Sequence, residues 1–412
     1  MQTDRVVSVS GAETYNVPAP AAAFANLRVA IVHYWFLGRA GGERVVEALG
    51  DIFPQADLFS LIADPEVLGP NLRERRLTTS FLQRIPGIRK FHRHTLMLQP
   101  LALEQFDLRG YDLILSSESG PAKGVMTSPG SLHVCYCHSP MRYIWDLYPG
   151  YIAEMSSITR PIFALTAHRL RQWDYATAAR VDAFVCNSQY VASRIRKFYR
   201  RDATVIYPPV EVKAAEVSSE VEDYYLAAGR LVGYKRFDLA VAACNALGRR
   251  LKVIGNGPDM EKLRRMAGRG VEFLGSVSEA EKNRAFARCR ALLFPGEEDF
   301  GMVPVEAQAH GRPVVALGSG GVLETVRGLE DEGCTRVAQP TGVLFAEPTA
   351  DALADAIQRF EANEDRFDPE AIRSHVLPFD VAEFRTRMTM YLERALEEHQ
   401  GRNAIQRVAC LA

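Results

Sequence analysis

The chain has 412 residues, with 49 Lys and Arg against 50 Asp and Glu, for a formal net charge of -1. Hydrophobic residues make up 47% of it, enough for real cores, which excludes a disordered or collagen-like chain. The near-neutral balance argues against a nucleic-acid coat, and at roughly 100–200 residues per domain the length predicts two or three domains.

Residues 1–26 carry Asp4, Arg5, Glu13, Pro18 and Pro20 and end near the run Pro18–Ala23, which reads as a flexible lead-in and not as a secretory signal. Leu27–His33 is a strand-like apolar run, followed by a loop with Gly38, Gly41 and Gly42 and a helix start at Glu43. Residues 71–100 hold Arg73, Arg75, Arg76, Arg84, Arg89, Lys90 and Arg93 against one acid, Glu74, with Phe81, Leu82, Ile85, Ile88 and Phe91 interleaved. Such a stretch suits either an anionic bilayer surface or a solvated helical face. Buried-strand candidates follow at Asp112–Ser116, Leu132–Cys137, Ala183–Asn187 and Thr204–Tyr207. Pro208–Val221 has a proline pair and no strong period, and reads as a linker.

A fresh set of strands then begins at Tyr224–Ala228, Leu251–Gly255, Val271–Leu274, Ala291–Pro295 and Pro313–Leu317. Strands alternating with helices predict α/β architecture: two facing Rossmann-like, doubly wound domains over 27–210 and 211–380. Val381–His399 has apolar residues at helical spacing, and residues 381–412 are expected to pack back on the first domain. No apolar run reaches the ~18 residues of a membrane span. The seven cysteines lack zinc or disulfide spacing and read as reduced core residues of a cytoplasmic protein.

In such folds ligands bind beyond the carboxyl ends of the strands, so loops that follow strands carry the chemistry. The richest is Pro295–Gly301, ahead of a short helix in which Pro304 suits the first turn, Gly311 a left-handed cap and Pro313 the stop. Its free N–H groups at Gly301–Val303 form an anion site. Glu298 precedes that end and Glu306 lies within ~12 Å of helical rise. Both suit sugar-nucleotide hydroxyls; from spacing alone, a helix cap at Glu298 and a solvated Glu306 read equally well. Arg230 and Lys235 flank a second post-strand turn and would grip a diphosphate, if they are not simply a solvated basic turn. His138, just past Leu132–Cys137, could orient a hydroxyl or carry a proton, or be a structural histidine satisfied by backbone. Lys123 and Arg142 are further cleft candidates on the acceptor side. There is no Asp-x-Asp pair for a metal-held diphosphate, no GxSxG elbow and no Walker A loop.

These motifs, GRLVGYKRFDLAV, KVIGNGPDMEKLR and FPGEEDFGMVPVEAQAHGRPVVALGSGG, resemble in order the retaining glycosyltransferases of family 4, which have the GT-B fold. The first half, with VHYWFLGRAGGERV and CYCHSPMRYIWDLYP, resembles bacterial O-antigen and exopolysaccharide mannosyltransferases. The resemblance implies a diphosphate held by Arg230 and Lys235 and by backbone at Phe300, Gly301, Met302 and Val303. It implies a donor sugar on Glu298, a ribose on Glu306, a glycine loop at Gly41 and Gly42 beneath the diphosphate, and an active-site histidine at His138. It further implies no metal or other cofactor, and transfer from a nucleotide sugar, GDP-mannose first, to a lipid-linked saccharide. The enzyme would sit peripherally on the inner face of the cytoplasmic membrane, with residues 71–100 against anionic lipid. The alternatives are a UDP-sugar donor, an epimerase of free sugar nucleotides, or a non-enzymatic sugar-nucleotide sensor.

Overall fold

The computed structural model describes residues 24–329 and 339–411, with side chains described as far as Arg402. The expected lead-in therefore falls outside the described residues up to residue 23. Phe24 does not belong to a lead-in: its ring is fully buried against Phe53, centroids 4.9 Å apart.

The first sheet contains β1 (Val29–Phe36), β2 (Asp57–Ala63), β3 (Leu77–Thr79), β4 (Leu113–Glu118), β5 (Leu132–Cys137), β6 (Ala183–Cys186) and β7 (Ala203–Val205). They lie in the order β3-β2-β1-β4-β5-β6-β7, every pair parallel. The second holds β8 (Tyr225–Ala228), β9 (Leu251–Ile254), β10 (Val271–Gly275), β11 (Leu292–Phe294), β12 (Val314–Leu317) and β13 (Gly342–Phe345). Their order is β10-β9-β8-β11-β12-β13, again parallel. Every residue of β4 and β5 is buried, as expected of parallel strands covered on both faces. In each sheet the order reverses at one point, between β1 and β4 and between β8 and β11. Loops after these strands part there and leave a crevice.

The chain crosses between the domains twice, and the crossings pair with each other. Val210 N–H donates to Phe379 O at 3.1 Å, and Val381 N–H to Val210 O at 3.0 Å. The helix Val381–Leu411 then lies on the first domain. Phe384, Met388, Leu392 and Leu396 join Val29, Ile31, Val46 and Leu49 in one core cluster. Burying each such side chain contributes about 1.5–3 kcal/mol.

Residues 71–100 are only partly the exposed surface that their composition suggests: Arg84, Lys90 and Arg93 are exposed, but much of the rest is engaged within the domain. Arg75 is spent on the carbonyls of Gly50, Phe53 and Asn71, and Arg73 on those of Leu68 and Glu66. Arg89 pairs with Asp64 at 2.5 Å. Leu82 and Ile88 are buried in a core cluster with Ala30 and Val32, and Phe81 and Ile85 pack against it. The apolar face of residues 81–88 thus looks inward, because a short parallel edge needs covering. Of the apolar residues in this stretch that the sequence marked, only Phe91 is exposed.

Candidate active site

The loops at both switch points meet across a cavity of about 520 Å³. From the first domain come Gly41 and Gly42 after β1, His138 and Arg142 after β5, and Tyr34, Tyr143 and Tyr151. From the second come Arg230 and Lys235 after β8, and Glu298, Phe300, Gly301, Met302 and Val303 after β11. The two walls come close: a Cβ built on Gly41, the first residue of the α1 helix (Gly41–Ile52), would lie 2.7 Å from Met302 Sδ, so a larger residue there would have to displace the Met302 side chain.

The helix Met302–Ala309 opens at Gly301, whose φ of +85° costs little only for glycine. No side chain caps it, so its first N–H groups and positive dipole end face the cavity wall. Gly311 is left-handed at φ +72° and closes the helix, its N–H bonded to Gln308 O at 2.9 Å. Gly320 and Gly321 let the loop after β12 pack against the loop after β11: a Cβ on Gly321 would meet Phe300 Cα at 2.4 Å.

Lys235 Nζ lies 2.6 Å from Glu298 Oε1 inside the wall. Burial works against the ammonium, but Glu298, Tyr234 and Glu306 together outweigh it and raise the Lys235 pKa. Arg230 is exposed at the mouth and has no ion pair among the described residues. His138 is half-buried; burial, with some help from His33, pushes it down to about 3, so its ring is neutral.

Two candidates stand apart from the cavity wall. Glu306 is off it, 3.2 Å from Arg44 of the first domain and 3.5 Å from Lys282. Lys123 is not a cleft residue. It is wholly buried behind β4, ion-paired with Asp174 and, at 3.4 Å, with Glu118, and Asp174 is also held by Trp145 Nε1 at 2.7 Å. A cation from the turn after β4 is thus held between an acid at the end of β4 and one on the helix Thr159–Thr177.

Arg142 lines the cavity, but its guanidinium is engaged: Glu297 at 3.2 Å, Asp146 at 3.3 Å and Asp299 at 3.7 Å. Sequence reasoning missed the set to which it belongs. Arg194 also pairs with Asp299 and, at 2.5 Å, with Asp146. Tyr190 OH donates to Glu297 at 2.7 Å. Glu324 of the second domain accepts from the N–H groups of Gln189 (2.9 Å) and Tyr190 (3.1 Å), capping the helix Gln189–Tyr199 of the first. Acids of one domain thus clamp cations and a helix start of the other. The run Glu297-Glu298-Asp299 was the available signal, since three adjacent acids need more than one cation.

Comparison with known proteins fits this geometry. The family description "Glycosyltransferase Family 4" matches residues 39–214, and "Glycosyl transferases group 1" matches residues 211–373. The human alpha-1,3/1,6-mannosyltransferase ALG2 is 25% identical over 283 residues, 57% of this chain and 64% of that protein. The Saccharomyces cerevisiae ALG2 is 22% identical over 301 residues, 58% of each chain. The chain thus spans about six tenths of the curated relatives it matches. Among solved structures, Anabaena HepE in complex with UDP superposes with a TM-score of 0.63 at 16% identity, covering 89% of this chain and 100% of that one, which shows the shared fold. Two facing Rossmann-like domains, the cleft between them and two adjoining family matches together place the chain in family 4 of the GT-B glycosyltransferases.

Proposed function

We propose that the protein is a retaining glycosyltransferase that moves mannose from GDP-mannose to a lipid-linked saccharide in polysaccharide biosynthesis. The observation that carries this is the cavity itself. One wall offers Lys235, Arg230 and an uncapped helix start, and the other a glycine loop, around a space large enough for a nucleotide sugar. When the sugar–phosphate bond breaks, negative charge grows on the leaving diphosphate. Arg230, Lys235 and the Met302 helix end would stabilise it there without a metal. The named relatives are mannosyltransferases, which favours mannose over other sugars.

Both wall carboxylates are already matched with cations, Glu298 with Lys235 and Asp299 with Arg142 and Arg194. Neither is a free nucleophile, which supports front-face attack with the departing phosphate taking the acceptor's proton. A trapped glycosyl–carboxylate intermediate would overturn that step.

A membrane-borne acceptor is supported by a surface centred on the helix Thr159–Thr177, to which the end of the stretch 71–100 contributes. Among the described residues no helix is long and apolar enough to cross a membrane. The helix Thr159–Thr177 and the residue before it expose Ile158 at 78%, Ile162 at 65% and Leu165 at 57%. Residues 155–173 contain Arg160, Arg169 and Arg171 and no acid. Leu96 packs into the cluster under this helix, and its neighbours Met97, Leu98 and Leu101 are exposed. Apolar side chains among uncompensated arginines suit an anionic leaflet, the inner face of the cytoplasmic membrane.

The deciding experiment incubates purified protein with a panel of sugar nucleotides and a membrane lipid extract. Transfer to lipid from GDP-mannose alone supports the full reading. Transfer from a UDP-sugar would replace the donor, and an epimerised sugar nucleotide without lipid product would overturn the transferase.

A further inference from the structure

A buried row of polar side chains runs sideways beneath the cleft. β1 and β4 pair His33 with Ser117, and His138 follows β5, its N–H bonded to Glu118 O at 2.7 Å. His33 Nδ1 lies 3.1 Å from the Ser117 carbonyl oxygen and 3.2 Å from its Oγ. Ser117 Oγ lies 2.8 Å from His138 Nε2. At the far end His33 Nε2 faces Glu43 Oε1 at 3.8 Å and has no hydrogen bond. His33 and Ser117 are fully buried.

Counting protons along the row fixes its direction. A carbonyl oxygen only accepts, so His33 Nδ1 carries a hydrogen. That hydrogen points at Ser117, and the Ser117 hydroxyl then has one acceptor left for its own proton, His138 Nε2. The reverse assignment would aim two N–H groups at one hydroxyl and strand its proton inside the sheet. We infer that Ser117 and His33 are positioning residues that hold His138 as the Nδ1–H tautomer, so that it offers the sugar a hydrogen-bond donor and not a base. Among the described residues His138 Nδ1 has no hydrogen bond, and the residue lines the cavity. The role rests on the cleft holding a nucleotide sugar. A proton gained or lost at His33 Nε2, beside Glu43, leaves its Nδ1 hydrogen in place, so the tautomer does not depend on that event.

The test labels the histidines of the full chain with ¹⁵N and reads the ring nitrogens by long-range ¹H–¹⁵N correlation. His138 is assigned by its loss in His138→Gln. The wild type is expected to show a protonated Nδ1 and a bare Nε2, and Ser117→Thr, which keeps the hydroxyl, to show the same. Ser117→Ala should populate the Nε2–H form and lower kcat about tenfold, while Ser117→Thr stays within about twofold of wild type. A wild-type proton on Nε2, or an unchanged tautomer in Ser117→Ala, overturns the inference. If the tautomers behave as expected but the wild type turns over no sugar nucleotide, the positioning stands and the functional reading fails.

Discussion

Replacing Lys123 with Met removes a buried ammonium and keeps most of its volume. The side chains of Lys123, Glu118 and Asp174 have no solvent exposure. Asp174 would retain Trp145 Nε1 at 2.7 Å and Tyr199 OH at 2.9 Å. Glu118 Oε1, which has no hydrogen bond, would lose the cation that faces it at 3.4 Å. Removing one partner of a buried pair costs about 3–5 kcal/mol. At about 2–4 °C per kcal/mol for a domain of this size, the unfolding midpoint falls by about 10 °C. The cost also depends on pH. Burial already raises Glu118 to about 7 against the pull of Lys123, and losing Lys123 raises it further. An acid raised in the fold contributes stability below its unfolded value and loses it as pH rises through the folded value. The gap between variant and wild type is therefore wider near about pH 8 than near about pH 5. Scanning fluorimetry at the two pH values measures it, and adding Asp174→Asn to the variant should recover part of the loss. A variant that melts within about 2 °C of wild type yet loses turnover would refute this account and return Lys123 to the acceptor side.

Other consequences are open to equally direct measurement. Lys235→Ala should cut sugar-nucleotide turnover about 100-fold, and an equal loss in the surface variant Lys90→Ala would count against the phosphate site. Arg194→Met strips Asp299 and Asp146 of a cation at the domain boundary, so small-angle scattering should show a larger radius of gyration; an unchanged radius would show that this pair does not hold the cleft shut. Burial pushes His133 down to about 4 and His138 to about 3, so their neutral forms stabilise the fold above the ordinary histidine value and that stability is lost as pH falls from 6.5 toward 3. Glu118, raised to about 7, works in the opposite sense as pH falls toward 4.5 and offsets one of them. Calorimetry between those limits should find His133→Gln less acid-sensitive than wild type by about 1.4 kcal/mol per pH unit, and equal slopes would show that His133 is not the neutral buried group. Ile162→Glu combined with Leu165→Glu should abolish co-sedimentation with anionic vesicles while sparing donor turnover; sedimentation like that of wild type would remove this face from consideration.

The fold class was legible because most of its strands are short, largely buried apolar runs separated by helices, although β2, β3 and β13 were not picked out, and because Pro304, Gly311 and Pro313 punctuate one helix on local chemistry alone. The loops that meet at the cavity could be found for the same reason: each follows a strand. What stayed hidden depends on partners distant in sequence. Lys123 looks like a cleft lysine until Asp174 arrives 51 residues later to neutralise it. Arg142 looks free until Glu297, 155 residues on, crosses the cleft. The apolar residues at 81–88 have the composition of an amphipathic surface, and only the sheet beneath them decides which way they face. The row from Glu43 to His138 exists only through strand register, since neither histidine sits in a motif that announces the other.

The helix beginning at Val381 has a consequence for synthesis. It supplies Phe384, Met388 and Leu392 to the core around Val29 and Val46, whereas β8 to β13 of the second domain lie in one stretch, Tyr225–Phe345. The half that leaves the ribosome first is therefore the half that finishes folding last. A chain stalled before residue 381 would present an open apolar groove on its first domain beside a second domain whose sheet is already complete, which makes the nascent first domain the point of exposure to proteases and chaperones.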